Sequence, residues 1–316
     1  MRHLLSIEDL DRDGIERILA LASNFAQVAD RPIKKVPSLR GRLVINLFYE
    51  ASTRTRSSFE LAAKRLSADV LNLVASGSSV EKGESLRDTV ATLSAYGPDA
   101  IVIRSPHAGA PALLAGWTDA AVVNAGDGKH QHPTQALLDC YALRNRIGTL
   151  EGASIWIVGD LLHSRVARSC VQAFTMLGAH VTVAGPPTLV PDEFAALGCS
   201  VRHSLDELRD ADVVYALRMQ LERMHEAFVP SLREYTAHFQ IDARRLGPRQ
   251  LLMHPGPVNR GVELSGEVID GGASLITEQV AAGVVVRMAV LYEVLAAPVG
   301  EDAPETQSSE LAPQPA

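Results

Sequence analysis

The chain has 316 residues and a mass of 33.9 kDa, and its 30 Lys and Arg against 37 Asp and Glu give a net charge of -7 at pH 7. Its 47% hydrophobic and 21% charged residues are typical of a soluble globular protein, and the length predicts about two domains. The acidic balance disfavours a nucleic-acid-binding protein, because such proteins usually carry a basic face.

The first half of the chain alternates predicted helices with apolar strand-like runs. Ile15, Ile18 and Leu19 recur at helical spacing and predict an opening helix. The strands that follow are predicted at Leu43–Phe48, Asp69–Val74, Ala100–Ile103 and Ala121–Asn124, with helices at Arg56–Leu66, Leu86–Tyr96 and Thr134–Asn145. Loops are predicted at Ser76–Gly83 and Gly126–Pro133. A domain boundary is predicted at the Gly148–Gly152 turn.

A second alternation begins after that turn. Strands are predicted at Ser154–Val158, His180–Ala184, Val213–Leu217 and Leu251–His254, and helices at Arg165–Leu177, Pro191–Leu197 and, strongly amphipathic, Thr277–Leu295. The composition of 298–316 predicts a disordered tail. The whole pattern predicts an α/β protein with two doubly wound parallel-sheet domains, and ligands in such folds bind beyond the carboxyl ends of the strands.

Targeting signals and cysteine usage point to the cytoplasm. No apolar run reaches the roughly 18 residues of a membrane span, and acidic residues from Glu8 onward argue against a signal peptide. Cys140, Cys170 and Cys199 form no CxxC pair and no metal-ligand spacing, which is typical of a reducing compartment. We therefore expect a cytoplasmic protein with neither a metal nor a membrane partner.

The sequence Ser52-Thr53-Arg54-Thr55 lies between a predicted strand and a predicted helix. Unpaired backbone N–H groups at the helix start, three hydroxyls and one guanidinium would form an anion cradle suited to phosphate. The alternative is an ordinary helix cap beside a solvated arginine.

This S-T-R-T element resembles the carbamoyl-phosphate signature of the carbamoyltransferases, and the chain from Met1 to about Leu295 is similar to the catalytic chains of aspartate carbamoyltransferases. The resemblance implies a carbamoyl-phosphate-binding domain over 1–147, an aspartate-binding domain over 148–276 and an active site between them. It also implies that a C-terminal helix over 277–296 packs back on the first domain. The implied reaction carbamoylates L-aspartate, an early step of pyrimidine synthesis, without any cofactor.

Three further elements match the family in order. Arg104 ends a buried strand, where the alternative is a salt bridge at the rim of the sheet, and His132-Pro133-Thr134-Gln135 starts a helix, where the alternative is a polar turn. His254-Pro255-Gly256-Pro257 is a rigid turn after a strand. The resemblance implies that carbamoyl phosphate is bound by Ser52, Thr53, Arg54, Thr55, Arg104, His132, Gln135, Pro255, Gly256 and Pro257, and that the catalytic residues are Arg54, Thr55, Lys82, Arg104 and His132.

The aspartate side of the site is implied in the same way. Arg165 starts a predicted helix, and Arg218 follows a strand in a loop similar to the family's R-x-Q-x-E-R. The resemblance implies that Lys82, Arg165, Arg218 and Gln220 bind L-aspartate, that Ser78 and Lys82 come from a neighbouring subunit of a homotrimer, and that Glu50 pairs with Arg223 and touches Arg165 as the domains close. The sequence does not indicate whether regulatory chains or a dihydroorotase subunit join the trimer in a larger assembly.

Three alternatives compete with this interpretation. A dinucleotide site after Val158 fails because no glycine follows Gly159 until Gly178, so the G-x-G-x-x-G spacing is absent. An ornithine carbamoyltransferase would place a cationic substrate among Arg165, Arg218 and Lys82, and its D-x-x-x-S-M-G loop and H-C-L-P turn are absent. A catalytically silent scaffold relative would not need to keep these residues together.

Overall fold

The computed structural model of the chain describes residues 1–29, 31–74, 84–221 and 228–296. The candidate site residues Ser78, Lys82 and Arg223 and the 298–316 tail lie outside these ranges, so what was predicted for them stays a prediction. Within the described ranges, no helix is long and apolar enough to cross a membrane.

The N-terminal half forms a parallel sheet covered by helices. Its helices are α1 (Arg12–Ala29), α2 (Thr53–Arg65), α3 (Leu86–Ser94), α4 (Ala110–Ala115) and α5 (Pro133–Ile147). Its strands are β1 (Leu43–Phe48), β2 (Asp69–Val74), β3 (Ala100–Ser105) and β4 (Ala121–Asp127), in the spatial order β2-β1-β3-β4. Ile45 lies opposite Leu71 on one side and Ile101 on the other. An inner strand of this kind is buried on both faces, which explains its unbroken apolar run.

The C-terminal half repeats this arrangement with a second parallel sheet. Its strands are β5 (Ser154–Val158), β6 (His180–Ala184), β7 (Ser200–Arg202), β8 (Val213–Ala216) and β9 (Leu251–Met253), in the order β7-β6-β5-β8-β9. Its helices are α6 (Arg165–Met176), α7 (Leu232–Phe239), α8 (Gly266–Ile269) and α9 (Ile276–Leu295). The predicted fold class of two parallel-sheet α/β units is confirmed.

The helix α9 differs from the prediction made for it. All residues from Val285 to Leu291 are buried, so its apolar positions cover every face, and the predicted strong amphipathic pattern is wrong. The physical reason is that α9 packs against α1, α2 and α5 together. Although its sequence belongs to the end of the chain, it lies on the N-terminal half of the molecule.

Several element boundaries also differ from those predicted. The helix α2 begins at Thr53 rather than Arg56, and β4 continues through Asp127, which shortens the loop predicted from Gly126. The predicted helix at Pro191–Leu197 is a 3-10 helix over Asp192–Leu197. The short elements α4, α7, α8 and β7 were not predicted, because three to eight residues carry too little periodicity to detect.

One buried apolar cluster joins the two halves. It contains Val102 of β3, Leu137 of α5, Val286 of α9 and Ile157 of β5. The layer formed by α5 and α9 therefore packs between the two sheets. This arrangement lets the carboxyl ends of strands from both sheets face a common cleft, which is where ligands bind in folds of this type.

Candidate active site

A cavity of about 970 Å³ lies in this cleft. Its walls come from the carboxyl end of β3, from the segments after β1, β8 and β9, and from the helices α2, α5, α6 and α9. The structure brings to this cavity every candidate site residue that lies in the described ranges, which are Glu50, Ser52, Thr53, Arg54, Thr55, Arg104, His132, Gln135, Arg165, Arg218, Gln220, Pro255, Gly256 and Pro257.

The start of α2 forms one wall. Ser52 occupies the N-cap position, but its side chain makes no capping hydrogen bond, so the first N–H groups of a 13-residue helix are not capped by that side chain. Gly256 approaches this end closely at φ +63°, and a Cβ atom there would lie 2.8 Å from Nη1 of Arg54. The positive φ favours glycine at residue 256, and a side chain there would have to displace the guanidinium group of Arg54.

Two arginines from different halves of the molecule share one carboxylate. Oε2 of Glu50 lies 3.2 Å from Nε of Arg104 and 2.5 Å from Nη2 of Arg165. Backbone carbonyls of β4 and of the turn after it hold the same guanidinium groups, since Arg104 donates to the Ala125 oxygen at 3.2 Å and Arg165 to the Gly128 oxygen at 3.1 Å. Both cations are thus held in place at the bottom of the cleft.

His132 is held as a neutral imidazole. Its backbone N–H donates to Oγ of Ser169 at 2.8 Å, and its ring is 3% exposed. Burial, and after it the charges of Arg104, Arg287 and Arg165, lower the pKa of His132 well below its usual value. Its Nδ1 atom is buried and has no hydrogen-bond partner within the described part of the chain.

The aspartate side of the proposed site comes from the second sheet. Arg218 and Gln220 follow β8, and the backbone N–H of Gln220 donates to Oδ2 of Asp160 at 3.2 Å. Burial lowers the pKa of His254, and the charges of Arg218 and Arg54 lower it further, although Glu263 acts in the opposite direction. The guanidinium groups of both arginines therefore face the same turn.

Sequence reasoning missed Arg287, which lines the cavity from α9. Its Nη1 donates to Oγ of Ser58 at 2.7 Å and to the Gly283 oxygen at 3.2 Å, and its guanidinium lies 5.1 Å from the centre of the Phe59 ring. Burial lowers its pKa to about 10. A lone arginine inside the apolar run Val284 to Leu291 was the available signal.

The chemical character of the cavity follows from these groups. Arg54, Arg104, Arg165, Arg218 and Arg287 line it, and Glu50 is the carboxylate among the lining residues in the described ranges. Such a cavity suits a substrate that carries several negative charges. Within the same ranges, no group of three or more His, Cys, Asp or Glu side chains could hold a metal ion.

Two family models match the chain. The model "Aspartate/ornithine carbamoyltransferase, carbamoyl-P binding domain" matches residues 2–145, and "Aspartate/ornithine carbamoyltransferase, Asp/Orn binding domain" matches residues 151–294. The aspartate carbamoyltransferase catalytic subunit of Acidothermus cellulolyticus is 57% identical over 299 residues, which cover 93% of each chain.

Solved structures of this family have a similar fold. The chain is similar to aspartate transcarbamoylase from Trypanosoma cruzi in complex with carbamoyl phosphate and aspartate, with a TM-score of 0.83 and 31% identity over 93% of this chain and 97% of that one. It is also similar to ornithine carbamoyltransferase from Pyrococcus furiosus, with a TM-score of 0.84 and 32% identity over 94% and 97%. The fold alone therefore does not distinguish the two substrates.

Proposed function

The chain belongs to the aspartate/ornithine carbamoyltransferase family, and we propose that it transfers the carbamoyl group of carbamoyl phosphate to the amine of L-aspartate. The products are N-carbamoyl-L-aspartate and phosphate, in an early step of pyrimidine synthesis. The observation that carries the choice of amine is the pair Arg165 and Arg218 on the wall built by the second half of the chain. Two guanidinium groups suit the two carboxylates of aspartate and would repel the cationic side chain of ornithine.

The phosphate is bound at the start of α2 in this proposal. The hydroxyls of Ser52, Thr53 and Thr55, the N–H groups of the helix start and the guanidinium of Arg54 surround an anion there. The positive end of the helix dipole and Arg54 stabilise the phosphate as it leaves with the bonding electrons of the broken C–O bond.

The carbamoyl group lies between Arg104, His132, Gln135 and the turn at Pro255 to Pro257. Arg104, Thr55 and the neutral ring of His132 donate to the carbonyl oxygen, on which negative charge develops as the amine attacks. Because the pKa of His132 is low, its imidazole is a poor base. The departing phosphate therefore takes the proton that the amine loses.

Aspartate is aligned by Arg165, Arg218 and Gln220, with Lys82 as a further contact. In the structure Glu50 already contacts Arg165, so the aspartate carboxylate binds the same guanidinium beside it. As the domains close, Glu50 keeps this contact and pairs with Arg223, and this pairing would commit the bound substrates to reaction.

We propose that the active unit is a homotrimer in which a second copy of the chain supplies Ser78 and Lys82. Leu61 and Val280, which line the cavity, are 40% and 53% exposed, and Val74 at the end of the edge strand β2 is 38% exposed. A second copy of the chain that reaches the cleft would cover these side chains. Regulatory chains or a dihydroorotase subunit are candidates for a larger assembly.

The proposed domain division places 1–147 and the helix over 277–296 in the carbamoyl-phosphate-binding domain and 148–276 in the aspartate-binding domain. The packing of α9 against α1, α2 and α5 supports that assignment of the C-terminal helix. The three cysteines are free thiols, which supports the proposal of a cytoplasmic location.

The test offers the purified protein carbamoyl phosphate with either L-aspartate or L-ornithine and identifies the product by mass spectrometry. We expect N-carbamoyl-L-aspartate, and we expect Arg54→Ala to lose roughly 2.7–4 kcal/mol of transition-state stabilisation, by analogy with the loss of an oxyanion donor. Arg56→Ala is the matched control, because Arg56 lies on the same helix but does not line the cavity. Formation of citrulline, or normal turnover by Arg54→Ala, would contradict the proposal.

A further inference from the structure

A fully buried carboxylate lies where the two halves of the molecule meet. Asp139 of α5 is 0% exposed and accepts four donors. They are Tyr215 Oη of β8 at 2.7 Å, Gln279 Nε2 of α9 at 2.7 Å, Gln135 Nε2 of α5 at 3.0 Å and Cys170 Sγ of α6 at 3.4 Å. A carboxylate with this many partners from four elements is fixed in position and can fix its neighbours in turn.

The carboxylate determines which way two amide groups point. An ionised carboxylate only accepts hydrogen bonds, so the NH2 ends of Gln135 and Gln279 must face Asp139. The oxygen ends of both amides are then turned away from it. Oε1 of Gln279 accepts the backbone N–H of His254 at 3.0 Å, and Oε1 of Gln135 is the end of that amide left for the cavity.

These two amides help to form opposite walls of the carbamoyl subsite. Gln135 and Gln279 both line the cavity. Gln279 also holds His254, whose Nδ1 accepts the N–H of Gly256 at 2.8 Å and so shapes the turn of Pro255 and Gly256, whose carbonyls are the acceptors in the proposed function. Both walls therefore offer oxygen atoms, which accept hydrogen bonds from an amino group and gain nothing from a methyl group.

We propose that Asp139 is a positioning residue that keeps the carbamoyl subsite lined with acceptor oxygens and thereby selects an acyl phosphate bearing –C(O)NH2 over one bearing –C(O)CH3. This inference rests on the proposed function. Asp139 does not line the cavity and acts through Gln135 and Gln279.

The ionisation state of Asp139 supports this role. Burial raises its pKa to about 6, while the hydrogen bonds from Gln279, Tyr215, Cys170 and Gln135 act to lower it. The carboxyl group is therefore mainly ionised at pH 7.5, where it accepts from all four donors. The charged and titratable groups that face it are Tyr215 of β8, Cys170 of α6 and Arg287 of α9.

The test replaces Asp139 with leucine, which has a similar size but accepts no hydrogen bond, because asparagine could keep its one oxygen towards both glutamines, which share Oδ1 of Asp139. Without that acceptor the two amides are no longer held with their NH2 ends inward, and one that turns round exposes a donor where the substrate also has a donor. At pH 7.5 we expect the KM for carbamoyl phosphate to rise about 10- to 100-fold, since a buried polar group is left unpaired. The inhibition constants of acetyl phosphate and of inorganic phosphate, which lack the amino group, should change less than about threefold.

Two further variants separate positioning from folding. Cys170→Ala removes a donor to the same carboxylate without touching either wall, so it should leave the ratio of carbamoyl phosphate KM to acetyl phosphate inhibition constant unchanged. Gln279→Met removes the hydrogen bonds to both Asp139 and His254, leaves the carboxylate itself in place, and should shift that ratio in the same direction as Asp139→Leu. It therefore provides a second test if Asp139→Leu does not fold, which circular dichroism would reveal.

The outcomes are distinct. Equal weakening of carbamoyl phosphate, acetyl phosphate and phosphate binding would make Asp139 a structural residue and overturn the proposal, as would an unchanged ratio in both Asp139→Leu and Gln279→Met. Failure of the proposed function would appear separately, as a lack of carbamoyl transfer to aspartate by the unmutated protein assayed in parallel.

Discussion

The neutral state of His132 makes a prediction that connects stability with catalysis. We expect His132→Ala to lower kcat about 10²- to 10³-fold, which corresponds to roughly 2.7–4 kcal/mol for the loss of one donor to the developing oxyanion. His132→Gln keeps an N–H donor of similar reach, so its loss should be smaller. The assay is carbamoyl transfer at saturating carbamoyl phosphate and aspartate.

The pH dependence of stability tests the protonation state directly. In the unfolded chain His132 has the ordinary pKa of about 6.5, whereas in the folded protein its pKa is well below this value. The stability that the neutral ring contributes is therefore present above pH 6.5 and is lost as the pH falls. Between pH 7.5 and 5.5 this loss amounts to about 1.4 kcal/mol per chain.

Comparison with His132→Gln isolates this contribution. Burial raises the pKa of Asp139 to about 6, which acts in the opposite direction, since the folded state then binds its proton more tightly than the unfolded state does. Both proteins contain Asp139, so its effect cancels in the difference. Urea unfolding at pH 7.5, 6.5 and 5.5 should show the unmutated protein losing about 1.4 kcal/mol more than the variant.

A constant difference between the two proteins across that range would refute the reasoning. It would mean that His132 takes up its proton equally well in the folded and the unfolded chain. The ring would then titrate among three arginines without penalty, and its role as a neutral donor could not stand.

Two further predictions concern Glu50 and the shared site. Glu50→Gln leaves Arg104 and Arg165 without their carboxylate, so the unfolding free energy should fall by about 1–3 kcal/mol. Added phosphate should then raise the melting temperature of the variant more than that of the unmutated protein, and equal shifts in a thermal melt would contradict this. Arg54→Ala and Lys82→Ala proteins, each nearly inactive, should regain activity when mixed as hybrid trimers, because some sites then receive neither substitution, and lack of recovery after verified subunit exchange would argue against a shared site.

The strands could be predicted where their own residues form an unbroken apolar run. The apolar runs of β1 and β5 are buried on both faces in the interior of their sheets, and their ranges match the predicted ones. The short strand β7 is different. Its three residues are mostly exposed, and three residues are too few to show an apolar pattern.

The same distinction between local and long-range signals separates the site residues that the sequence predicted from those that it missed. Ser52 to Thr55, His132 and Gln135 stand in contiguous motifs, so a sequence match finds them. Arg287 and Asp139 do not, because their importance arises from packing between segments far apart in the chain: Gln279 reaches Asp139 across 140 positions and Arg287 reaches Ser58 across 229. No local pattern encodes such a contact.

The cluster of arginines also explains why Glu50 lies where it does. Arg104 and Arg165 come from different halves of the molecule, and their like charges would separate the halves if no anion lay between them. Glu50 supplies that anion before substrate arrives, and backbone carbonyls hold the guanidinium groups in place. Under the proposed function, carbamoyl phosphate and aspartate bring further anions to the same arginines while Glu50 keeps its contact with Arg165. Domain closure then adds partners to an existing contact, so it requires little rearrangement of the arginines themselves.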